Sequence, residues 1–224
     1  MFPTPCEGSQ VCFRQEKADR HADEVHPSPV PLKKIDEGVE DNRPTLKTEK
    51  LLLRPFRSAD STRVYEVCQD REIASRTRSI PHPYPKAAAA KWVAGYANLW
   101  RSGEAVIFAI CPIEGGTLLG AVGLEINQQD HNTELGYWPA RSSWGRGLCT
   151  EALGAVSQFR FDELGLFRVH SHFMTRNPAS GRVMEKNGMR HEGCLRCHVR
   201  KWGVFEDIEV YGLLRSDYRT SENV

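Results

Sequence analysis

Residues Ser142–Leu153 read SSWGRGLCTEAL. Gly145 and Gly147 flank Arg146, Trp144 stands before them, and a helical pattern follows. Leu148, Ala152, Ala155 and Phe159 recur at intervals of four, three and four, one face of an amphipathic helix. A helix N-terminus offers unpaired N–H groups and about half a positive charge, both of which favour a phosphate. Glycine removes the side chains that would keep a phosphate off the backbone, and Arg146 adds a charge-assisted donor. A Gly-x-Gly before a helix can also be an ordinary turn. A P-loop needs a lysine where Leu148 stands, and the dinucleotide fingerprint needs a third glycine where Thr150 stands.

Working outward, "NTELGYWP" before this stretch reads as a strand ending at Pro139, and "GTLLGAVGLEIN" and "EAVIFAIC" as two more. Further back, "YPKAAAAKWVAGYANLWRSG" has Pro85 at its start and Gly103 at its stop, a long helix. "SADSTRVYEVCQD" is a shorter helix, and "LKTEKLLLRPF" a strand stopped by Pro55. Downstream come the strand "RVHSHFMT", the helix "ASGRVMEKNG", and the strands "MRHEGCLRCHV" and "FEDIEVYGLL". Three successive strands imply antiparallel hairpins, and strand–helix–strand around residue 150 implies a parallel crossover. The fold class is therefore α/β (α+β), with a mixed sheet.

Residues 1–44, with "PTPCEGSQ", "HPSPVPLKK" and "DEGVEDNRP", carry proline and charge but few large apolar side chains. Such a segment cannot offset its ordering entropy by burial, and a disordered N-terminal extension is expected. A chain shortened to begin at Thr45 should therefore keep its melting temperature and turnover; loss of either would mean that the extension docks.

Four ordered matches over residues 46–219 resemble the GCN5-related N-acetyltransferases (GNAT superfamily), and most closely their RimJ/RimL-like branch. They are "LLLRPFRSAD", "TELGYWP" with "SSWGRGLCTEAL", "NPASGRVMEKNGMRHEG", and "FEDIEVYGLL". The resemblance implies a GNAT domain over residues 45–219, followed by a C-terminal tail at 220–224. It implies a six- to seven-stranded sheet, splayed in the middle and flanked by helices. It also implies acetyl-CoA as acyl donor, its pyrophosphate on Ser142, Trp144, Gly145, Arg146, Gly147 and Leu148. The pantetheine arm would lie along Leu135, Gly136 and Tyr137, with Asn177 near its amide. Acceptors in this branch are protein N-terminal amines. A small-molecule amine, or a degenerate acetyl-CoA-binding module without turnover, is the alternative.

Transfer to an amine needs a base for the attacking nitrogen and a donor for the departing thiolate. Glu134, at the start of the strand expected to carry the acetyl end, is the first candidate base; His198 is its rival. Ser180 is the candidate acid, unless it only caps the helix it begins. The position where many relatives carry a tyrosine holds Met184. Trp92 and Trp100 read as a core helix face, and Thr77–Tyr84 as an edge of the acceptor groove.

"CLRCH", Cys194–His198, has the haem-attachment pattern, but no basic and apolar leader opens the chain, and the motif lies in an expected strand. Cys194, Cys197 and His198 supply only part of a zinc set, and no metal is expected. The net charge of +1, from 30 basic and 29 acidic residues, gives no reason to expect nucleic acid. No apolar run approaches the ~20 residues of a membrane span. The seven cysteines fit reduced thiols, and the expected setting is cytoplasmic, as monomer or homodimer.

Overall fold

Glu151, in the middle of the quoted stretch, accepts hydrogen bonds from Thr48 Oγ1 (2.5 Å) and the Lys50 amide (2.8 Å), tying a helix to a turn a hundred residues earlier. The computed structural model describes residues 43–222; the extension expected over 1–44 lies outside the described residues up to position 42. The elements are β1 (Leu46–Lys47), β2 (Leu51–Pro55), α1 (Asp60–Cys68), α2 (Arg71–Arg76), α3 (Lys86–Ser102), β3 (Ala105–Pro112), β4 (Gly120–Asn127) and β5 (Asn132–Pro139). A single 3-10 turn at Arg141–Ser143 leads to α4 (Leu148–Asp162), β6 (Arg168–Met174), α5 (Pro178–Lys186), β7 (Arg190–Lys201), β8 (Val204–Leu214) and α6 (Arg215–Glu222).

One mixed sheet runs in the order β1-β2-β3-β4-β5-β6-β8-β7. Every neighbouring pair is antiparallel except β5–β6, which α4 connects as a parallel crossover. Among the described residues there are eight strands where six or seven were expected, because the Thr48–Lys50 turn held by Glu151 splits the first run into β1 and β2. Two helices were not foreseen. α2 has only six residues, too few for a clear period, and is capped by the Asp70 carboxylate accepting from the Glu72 amide. α6 has a polar sequence, RSDYRTSE, and extends to Glu222, so the tail expected over 220–224 is helical through 222.

Both faces of the central strands are covered, so β3 reads as a nearly continuous apolar run. Its alternation sorts large from small. Val106, Phe108 and Ile110 pack toward α4, with Leu124, Leu153, Val156 and Phe161. Ala109 and Cys111 pack toward α1 and α3, with Val64, Val93 and Tyr96. Phe108 meets Phe159 edge to face, ring centroids 5.9 Å apart. Truncating the fully buried Phe108 to alanine should cost about 3–5 kcal/mol, read as a lower melting temperature. The opening motif "LLLRPFRSAD" is structural at its ends: Arg54 donates to both Asp60 carboxylate oxygens, at 2.7 and 2.8 Å, pinning β2 to the first turn of α1.

Candidate active site

The parallel β5–β6 ladder has three residue pairs, ending at Glu134 opposite His170. Beyond it the strands part, although β5 stays paired with β4 as far as Pro139. Ser171, buried on β6, spans the start of the gap: its Oγ donates to the Leu135 carbonyl oxygen at 2.7 Å. In an antiparallel pair, residues facing away from one neighbour alternate. If Leu135 turns its carbonyl to the gap, Tyr137 does so too.

On one side of the gap is a cavity of about 310 Å³, lined by Ser143, Trp144, Gly145, Gly147, Leu148 and Asn177 among others. Gly145 and Gly147 are left-handed, with φ of +72° and +76°, and a Cβ built on either meets nothing within 4 Å. Backbone conformation requires glycine there, and the space beside it is open. Gly147 precedes α4 and supplies no side-chain cap, so the first N–H groups of α4 are left for another partner. Ser143 Oγ is buried on the same cavity without a hydrogen-bond partner among the described residues. Exposed Ser142 and Arg146 stand at the rim and do not line this cavity; Ser143 does, one residue from the expected serine.

The other side is a cavity of about 230 Å³, lined by Glu134, Leu135, Gly136, His172, Ser180 and Met184, with Thr77–Ile80 and Tyr84 from the loop before α3. Tyr137, Trp138, Ser180, Arg76 and Thr77 line both cavities, so the two meet at the tip of the gap. Burial raises the pKa of the Tyr137 phenol, keeping it neutral; it donates to the Ser180 carbonyl oxygen at 3.3 Å. Asn177, not Ser180, occupies the N-cap position of α5, and Ser180 sits in its first turn. Asn177 Nδ2 donates to Ser180 Oγ at 3.2 Å, leaving the serine O–H free to donate in turn.

Glu134 is half-buried among cations and imidazoles. His172 Nδ1 lies 3.4 Å from its carboxylate, Arg78 Nη2 3.7 Å, and His170 Nε2 4.0 Å. Burial lowers the pKa of His172, against the pull of Glu134, and Arg78, His170 and His198 lower it further. A neutral His172 with Nδ1–H toward Glu134 leaves Nε2 as a proton acceptor. The unfolded histidine binds a proton below about pH 6.5 while the folded one resists it, so stability falls as pH falls through that range. His172→Gln should flatten the decline in melting temperature between pH 7 and 5.

His198, the rival base, is exposed on a bulge of β7, where residues between Leu195 and Val199 have no ladder partner, and it does not line either cavity. His172 holds the position facing Glu134 instead. The sequence showed His170 and His172 alternating in "RVHSHFMT", but their nearness to Glu134 depends on the β5–β6 register, which no local pattern encodes. Trp92 packs on the core of α1 and α3, against Phe56 and Tyr96, and also lines the second cavity, whereas Trp100 packs on the core of the opposite face. Cys194 and Cys197 are exposed, and no group of three or more His, Cys, Asp or Glu among the described residues is placed to hold a metal. No helix among them is long and apolar enough to cross a membrane.

A large set of solved structures shares this fold. The structure of RimL, a ribosomal L7/L12 alpha-N-protein acetyltransferase in complex with coenzyme A, superposes with a TM-score of 0.71 at 18% identity, covering 76% of this chain and 98% of that one. The uncharacterised N-acetyltransferase YoaA of Bacillus subtilis is 26% identical over 173 residues, 77% of this chain and 97% of its own. The ribosomal-protein-serine acetyltransferase of Escherichia coli is 29% identical over 122 residues, 54% of this chain and 67% of its own. The family model for the acetyltransferase (GNAT) domain matches residues 50–190. This chain therefore belongs to the GNAT acetyltransferases and is an N-acetyltransferase.

Proposed function

We propose that the chain takes acetyl-CoA as acyl donor and acetylates the α-amine of a protein or peptide N-terminus. The observation that carries this reading is the parting of β5 from β6 just past Glu134, where the two cavities meet at Tyr137 and Ser180. The donor side fits the proposed ligand. Ser143 Oγ, the left-handed Gly145 and Gly147, and the uncapped start of α4 offer donors to a pyrophosphate, with Trp144 and Leu148 as walls. Leu135–Tyr137 offers an open strand edge to an amide-bearing arm, with Asn177 beside it. Arg146 and Ser142 stand at the rim. Acetyl-CoA supplies an activated thioester carbonyl when bound.

The remaining chemistry belongs to side chains. Glu134, paired with His172, takes the proton that the attacking amine must lose, directly or through one water. Ser180, held by Asn177, keeps an O–H available for the departing sulfur. An α-amine, with a pKa near 7.7–8.0, needs less help than a lysine near 10.4. That difference and the ribosomal-protein acetylating relatives favour an N-terminal acceptor.

Thiol release from acetyl-CoA, followed with a library of free and N-formylated peptides and small amines, tests this. Turnover should require a free α-amine. Turnover confined to lysine side chains or small amines would refute the N-terminal acceptor, and tight acetyl-CoA binding with no turnover would leave a binding module. Ser143→Ala should weaken acetyl-CoA binding by roughly tenfold, the worth of one hydrogen bond to a charged group, in calorimetry.

A further inference from the structure

At Glu134 the acceptor cavity opens into a groove of about 1040 Å³, walled by α3 on one side and by the ends of β3, β4 and β5 on the other. Its charged lining is Glu104, Glu125 and Glu134; Lys91 is the only lysine or arginine among the described residues lining it. Glu125 and Glu134 are direct cross-strand partners. Side chains at such positions leave the same face with Cβ atoms roughly 4.5–5.5 Å apart, where like charges weaken a sheet. Glu134 is compensated by Arg78 and His172, whereas Glu125 forms no ion pair among the described residues.

Two further side chains face the same space. Tyr84 and Tyr96 line both the cavity and the groove and are only 7% and 8% exposed. Neither hydroxyl has a hydrogen-bond partner among the described residues, and neither is sealed from solvent, so each is open to a ligand entering this space. Burial raises both phenols' pKa, and the negative Glu125 raises that of Tyr96 further, so both stay neutral and offer lone pairs. Trp92 stands edge-on to Tyr96 at 4.5 Å, completing an aromatic wall beside Glu125.

We infer that the groove recognises a second positive charge on the acceptor. The reacting nitrogen lies at Glu134, and the other cationic group lies against Glu125 and the aromatic wall of Trp92, Tyr96 and Tyr84. This rests on reading the chain as an amine acetyltransferase. A carboxylate beside aromatic faces suits an ammonium or guanidinium, through charge-assisted hydrogen bonds and cation–π attraction. The same chemistry is presented by a peptide with lysine or arginine next to its N-terminus and by a short aliphatic diamine.

The test compares matched acceptors with saturating acetyl-CoA. A hexapeptide with lysine in its second position is set against the same peptide with glutamine there, and 1,4-diaminobutane against butylamine. The charged member of at least one pair should lead by about tenfold in kcat/KM at low salt, and the pair that shows the lead identifies the source of the charge. The lead should shrink as salt rises, because a half-open groove is screened. Glu125→Gln should reduce it severalfold without lowering the melting temperature, since the substitution also removes a like-charge pair. Tyr96→Phe gives a second variant should Glu125→Gln fold poorly. Equal kcat/KM for charged and neutral acceptors in the unaltered chain, or undiminished discrimination in the variants, overturns the inference and leaves amine acetylation standing. No turnover with any amine overturns both.

Discussion

Glu134→Gln should lower turnover near neutral pH by about 10²–10⁴-fold, the usual worth of a general base, with little change in acetyl-CoA affinity. Glutamine keeps the shape and hydrogen bonding of the side chain but cannot take a proton. Raising the pH should recover part of the loss, because more of the amine is already neutral. His172→Gln should give a related phenotype, since His172 is 3.4 Å from the same carboxylate, whereas His198→Gln, on the exposed bulge, should change little. Full activity of the Glu134 variant at pH 7, with loss in the His198 variant, would reverse the assignment. If none of the three matters, the amine is deprotonated by solvent and the enzyme acts by positioning.

The second large effect is expected on the donor side. Gly147→Asp places a side chain on a backbone with φ +76° and projects a negative charge into the space beside the start of α4. The left-handed conformation costs an L-residue roughly 1–2 kcal/mol. The carboxylate would also occupy the region offered to a phosphate, with charge of the same sign. Acetyl-CoA affinity should fall by at least tenfold in calorimetry while the protein remains folded. Unchanged affinity in a folded variant would remove the pyrophosphate from this loop.

Elements whose identity is set locally were legible in the sequence. The apolar run of β3, the Pro85 and Gly103 punctuation of α3, and the glycine stop after α5 all match described elements. The Gly-x-Gly loop was legible because it combines backbone freedom with a helix start. What stayed hidden was relational. The partnership of Glu134 with His172 arises from a parallel register between strands 30 and more residues apart. Ser143 rather than Ser142 lines the cavity because successive side chains of a 3-10 turn point about 120° apart, one here exposed and the other buried. His198 was named from its place on a late strand, and the β7 bulge, which no local pattern announces, leaves it exposed outside both cavities. Ser180, the candidate acid with capping as the alternative, sits inside the first turn because the helix starts two residues earlier, behind Asn177.

The three-pair seam between β5 and β6 also has a consequence for how the molecule breathes. An eight-stranded sheet joined through so short a ladder is two smaller sheets hinged at one line. Their relative stability is set less by backbone bonds than by α4 and the Ser171 bridge. In hydrogen-exchange terms, the Tyr137 amide should behave as an edge amide in the middle of a sheet, exchanging faster than its neighbours paired to β4. A donor arm that pairs with this edge would slow it selectively. A sheet edge of this kind is normally a liability for aggregation. Here the cavity beside it is bordered by the starts of α4 and α5, and a slender ligand entering that cavity would cover the edge.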